Sequence, residues 1–116
     1  MGDACSNPPT AEGVYQMLAK NFERHYTTNR APFGMYYHAA WFTQAHHKEG
    51  FEAFLDTLVQ MEDVWLVSNW QAIQWVRDPT PSSRISGFRP WAECREGSVS
   101  GFFFILGLIF VLKYWR

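Results

Sequence analysis

Of the four histidines in this chain, His38 has the neighbourhood best suited to proton chemistry near neutral pH. It closes Phe33-Gly34-Met35-Tyr36-Tyr37, a short, charge-free, aromatic run that reads as a buried strand. In α/β sheets and barrels, ligands and catalytic groups gather at the C-terminal ends of the strands, where an imidazole can act as general acid or base. A buried histidine bonded to a backbone carbonyl is the bland alternative, and the residues alone favour it slightly. His46 and His47 are adjacent in a polar loop beside Lys48; neighbouring side chains point apart and an ammonium opposes a cation, which argues against a metal there. His25 faces out near a helix end, where its protonated form suits the dipole. Nucleophilic catalysis has little support, since there is no Gly-x-Ser-x-Gly, no glycine-rich phosphate loop and no histidine beside Cys5 or Cys94. Those two cysteines suit one long-range disulfide or two free thiols equally well.

The elements that must position His38 follow from the spacing of apolar residues. After the turn at "NPPT", Thr10 is placed to cap a helix and Glu12 suits its positive end. Val14, Met17, Leu18 and Phe22 then recur at helical spacing, and Pro32 ends the pattern. The strand at Phe33 to His38 comes next, then a second helix with Phe51, Phe54, Leu55 and Leu58 on one face. "VWLVS" reads as another buried strand, and a third helix follows with Trp70, Ile73 and Val76 inward until Pro79 stops it. From Asp78 the chain is rich in Pro and Ser and loop-like. Helices alternating with strands imply an α/β fold with a parallel sheet. Two strands cannot bury both faces of such a sheet, so the chain reads as part of a larger α/β barrel or sheet.

Composition narrows the partners. At 116 residues the chain holds one domain, and its 47% hydrophobic content is that of a folding sequence. A net charge of −1 with no Lys/Arg run argues against nucleic acid. Aromatic residues make up 18% of the chain; they fill cores and also stack on the apolar faces of sugar rings. The N-terminal "MGDACSNPPT" has no apolar core of a signal peptide, although Gly2 and Ser6 fit the loose myristoylation pattern. Near the other end, the uninterrupted apolar run from Phe102 to Leu112 is shorter than a spanning helix needs, and an anchor, a buried strand or an aggregation-prone tail all suit it.

Several stretches together carry a family pattern: "NFERHY", "NRAPFG", "HAAWF", "GFEAFLDTL", "DVWLVSNWQAIQWVRDPTP" and "FRPWAEC". Over residues 3–94 the chain resembles the C-terminal part of arthropod-type chitin deacetylases, which are polysaccharide deacetylases of carbohydrate esterase family 4. The resemblance implies an incomplete, C-terminal portion of a distorted (β/α) barrel, with residues 95–116 a divergent apolar tail and candidate membrane segment. It implies extracellular, zinc-dependent hydrolysis of the acetamide of N-acetylglucosamine units in chitin. Its acid histidine falls on His38. Tyr36 takes the place of a leucine that lines the acetyl-methyl pocket in many relatives, and Trp41 lies near the sugar or, at least as readily, packs in the core. The family's Asp and His-x-x-His metal ligands, its Asp-Asp base motif and the Arg/Pro/Tyr motif that orients the base are not in this sequence. The resemblance therefore implies a fragment inactive by itself. The alternatives are a truncated relative that binds chitin or a partner without catalysis, and a small membrane-tethered protein.

Overall fold

Pro8, Pro9 and Thr10 fix where the first helix starts. Thr10 is extended, and its hydroxyl accepts the Gly13 N–H at 3.1 Å, satisfying a donor that the first helical turn leaves open. The computed structural model describes residues 6–92 and 109–111. Its elements are α1 (Ala11–Thr27), a 3₁₀ turn (Ala39–Thr43), α2 (Ala45–Val59), β1 (Val64–Leu66), α3 (Asn69–Arg77), a second 3₁₀ turn (Ser82–Gly87), α4 (Arg89–Ala92) and β2 (Ile109–Val111).

The first helix matches its periodicity, burying Val14, Leu18 and Phe22. It ends in a sharp reversal where Arg30 takes the left-handed φ of 53° and its N–H reaches back to the His25 carbonyl at 2.9 Å. That conformation costs a non-glycine residue about 1 kcal/mol. Arg30 is held there by an ion pair to Asp63 at 3.1 Å and by its guanidinium lying 3.5 Å over the Tyr26 ring. Tyr26 in turn donates its hydroxyl to Asp63, so three side chains tie the end of α1 to the approach of β1.

The second helix also buries the face its sequence announces, through Phe51, Phe54 and Leu58. It starts earlier than expected. His46, His47 and Lys48 lie in its first turn and not in a loop, because Gln44 is extended and its carbonyl accepts the N–H groups of His47 and Lys48. No Pro, Gly or β-branched residue before Gly50 opposes helix there. Gly50 is where α2 meets α1: a methyl group at this position would fall on the Ala11 carbonyl oxygen and within 2.7 Å of Val14 Cβ.

The stretch expected to be the first strand of a parallel sheet is extended but forms no ladder among the described residues. Phe33, Met35 and Tyr37 are buried while Gly34, Tyr36 and His38 are exposed, the two-residue alternation of extended backbone. Apart from an isolated β-bridge at Phe33, side-chain packing holds it: Phe33 meets Phe22 of α1 edge-on at 5.9 Å, and Tyr37 meets Phe51 of α2 at 5.6 Å. One core thus gathers α1, α2, this segment, Trp41 and Val64.

The described sheet has two strands, and it is antiparallel. The partner of β1 is β2, with Val64 opposite Val111, Trp65 opposite Phe110 and Leu66 opposite Ile109. This overturns the parallel sheet expected from the order of elements. That inference required the two predicted strands to pair with one another, whereas β1 pairs with a piece of the apolar tail. The described residues are mostly helical and contain no barrel. Three residues of the candidate membrane segment, Ile109–Val111, are this strand; the rest of it lies outside the described residues. Among the described residues no helix is long and apolar enough to cross a membrane.

Helix α3 reverses another expectation. Trp70, Ile73 and Val76 are outward at 38%, 56% and 58% exposure, and the buried residue is Ala72. The phase is set by a capping box at its start, where Ser68 accepts the Gln71 N–H and the Gln71 side chain accepts the Ser68 N–H. Gln71 then donates to the Pro90 carbonyl and Trp75 to the Thr80 carbonyl, which tethers that side of α3 to the chain that follows. That following stretch is not all loop, since Ile85 and Phe88 are buried in a small cluster with Trp65, Trp75 and Trp91.

Candidate functional site

The alternation that buries Phe33, Met35 and Tyr37 places Tyr36 and His38 on one exposed face of the extended segment. His38 is also the cap residue of the 3₁₀ turn: its backbone remains extended, and its carbonyl accepts the Trp41 N–H at 3.0 Å. The imidazole therefore rides on backbone fixed from both sides, by the packed strand-like segment before it and the turn after it. Tyr36 donates its hydroxyl to Asn69 Oδ1 at 3.4 Å, a long bond that links this face to the first residue of α3. Trp70 follows directly and adds a second exposed aromatic.

Trp41 goes the other way. It is buried, stacked on the His47 ring at 4.3 Å with 12° between planes and tilted against Tyr37 at 4.3 Å. His47 Nδ1 lies 2.9 Å from the Trp41 carbonyl oxygen; a carbonyl only accepts, so Nδ1 carries the proton. Trp41 Nε1 is buried with no acceptor among the described residues. Of the three residues singled out from the sequence, the structure brings Tyr36 and His38 together and places Trp41 in the core beneath them. Asn69 and Trp70 were missed because Trp70 reads as inward. The signal that was present, Ser68-x-x-Gln71, is a helix-start pattern that fixes where α3 begins; which side turns inward is set by the contacts of Gln71 and Trp75 to the chain that follows.

A catalytic zinc needs about three protein ligands. Among the described residues no three His, Cys, Asp or Glu side chains come close enough to hold a metal ion. The rings of His46 and His47 meet edge to face at 4.4 Å, and His47 is already engaged with Trp41. The described residues do not fit a zinc centre. Cys5 and Cys94, named as disulfide candidates, lie outside the described residues.

Comparison with known proteins agrees with the motifs. The chain is 44% identical over 97 residues to chitin deacetylase 1 of Bombyx mori, an alignment covering 80% of the chain. It is 38% identical over 89 residues, 72% of the chain, to chitin deacetylase 8 of the same organism. It spans about a fifth of the length of these curated relatives, 18% and 23% respectively. No family model and no solved structure matches it. The chain is an arthropod chitin deacetylase-related region.

Proposed function

We propose that this chain is the C-terminal piece of an extracellular polysaccharide deacetylase domain, and that His38 is the general acid of its amide hydrolysis. The observation that carries the reading is the exposed Tyr36–His38 face, in a chain that is 44% identical to a chitin deacetylase over the 80% of the chain that aligns. Hydrolysis of an acetamide adds water across the carbonyl and breaks the C–N bond, and the departing amine must receive a proton. An imidazolium at His38 supplies it at the nitrogen, and Tyr36 borders the same face where the sugar would lie. This reading assigns the water-activating base and any metal to other parts of such a domain; among the described residues no three His, Cys, Asp or Glu side chains come close enough to hold a metal ion.

The outward apolar stripe on α3 supports the same reading. Large apolar residues at three-residue spacing, more than a third exposed, are the surface a larger domain would cover. The purified 116-residue chain, incubated with chitin oligomers, is expected to release no acetate; acetate release would show that it carries a complete catalytic site.

A second, non-catalytic reading draws on Tyr36 and Trp70, two exposed aromatics linked through Asn69. Aromatic faces of this kind stack on sugar rings. Retention of the chain on chitin beads, lost in Trp70→Ala, would support chitin binding without catalysis, and failure to be retained removes it.

A further inference from the structure

We infer that the groove between the end of α3 and the start of α4 is a docking site for an acidic peptide segment of a partner protein. The groove is an open cleft of about 870 Å³. Arg77, Arg84 and Arg89 line it, and all three are exposed. None of them forms an ion pair with another of the described residues. Three guanidinium groups, brought to one groove from α3, the Ser82–Gly87 turn and α4, stand out in a chain whose net charge is −1. Each is a planar fork of donors shaped to take a carboxylate through two parallel hydrogen bonds.

The rest of the lining selects among anions. Asp78 adds a carboxylate at the same groove, an acceptor for the backbone N–H groups that a peptide carries and a sulfated glycan backbone lacks. Pro79 and Pro90 give apolar walls for side chains interspersed between acidic ones. A peptide that alternates carboxylates with apolar residues satisfies all of these features. A deacetylated amino-sugar polymer is cationic and is repelled by the arginines; none of Tyr36, His38, Asn69 and Trp70 lines this groove, and the proposal does not depend on the deacetylase reading.

The test is fluorescence anisotropy of a fluorescein-labelled peptide of alternating Glu and Leu, titrated with the purified 116-residue chain, with heparin as competing anion. Two variants address the groove by different means. Arg84→Gln with Arg89→Gln removes charge. Gly87→Phe fills space: a Cβ at Gly87, which also lines the groove, meets no heavy atom within 4 Å, and the glycine backbone is outside the left-handed region. Lys20→Gln with Arg24→Gln removes equal charge from α1 as a control, and far-UV circular dichroism checks that every variant folds. The expected result is saturable binding that weakens about tenfold or more in both groove variants and stays within about twofold of the parent in the control. Three results would overturn the proposal: no peptide binding, equal loss in the control, or heparin binding by a chain that ignores the peptide.

Discussion

His38 and Trp41 are three residues apart, and the 3₁₀ turn between them leaves one exposed and sends the other into the core. The distinction decides what each can do. Truncating a buried, ring-stacked tryptophan removes its packing, so Trp41→Ala is expected to cost about 3–5 kcal/mol in urea unfolding. Trp41→Phe retains much of the aromatic contact and gives up an N–H that has no acceptor among the described residues, so its expected cost is no more than about 2 kcal/mol. Near-equal losses for the two variants would mean that the indole nitrogen is bonded after all. The aromatic residues of "YYHAAWF" were legible as core material in the sequence. Which of them face out was not, because that depends on where extended backbone gives way to the turn.

At the scale of elements, the packing of α1 on α2 runs through Gly50. Alanine is intrinsically better in a helix by about 1 kcal/mol. Here its methyl group would strike the Ala11 carbonyl, which is backbone and cannot rotate aside, at an overpacking cost of about 1–3 kcal/mol. Gly50→Ala is therefore expected to lower the thermal midpoint, and a raised midpoint would refute the close approach. Helix α3 gives the opposite kind of test. With Ile73 and Val76 outward, Ile73→Ser and Val76→Ser are each expected to change stability by less than about 0.5 kcal/mol while reducing self-association in gel filtration. A loss of about 2 kcal/mol or more would place these residues in a core. Helices α1 and α2 were readable because their apolar residues repeat at three and four over several turns. The short α3 offered only four large apolar residues, spread around the helix, and its inward side is held by Ala72, Gln71 and Trp75 through contacts to residues up to 19 positions away. Periodicity alone carries no information about such contacts. Likewise β1 was legible as a strand, but its partner in the apolar tail was not, because pairing over so many residues leaves no local mark.

For the whole molecule, the central claim is that the His38 face is one catalytic element of a larger deacetylase. Motifs in the sequence announced the family, and identity to the Bombyx mori enzymes supports it, over only a fifth of their length. The most direct measurement replaces the matching region of Bombyx mori chitin deacetylase 1 with residues 6–92 of this chain and follows acetate release from chitin oligomers, with His38 intact or changed to Ala. The intact chimera is expected to release acetate, and His38→Ala to lower kcat about 10²–10⁴-fold with circular dichroism unchanged. A folded chimera that releases no acetate, or a His38→Ala variant as active as its parent, would contradict the assignment.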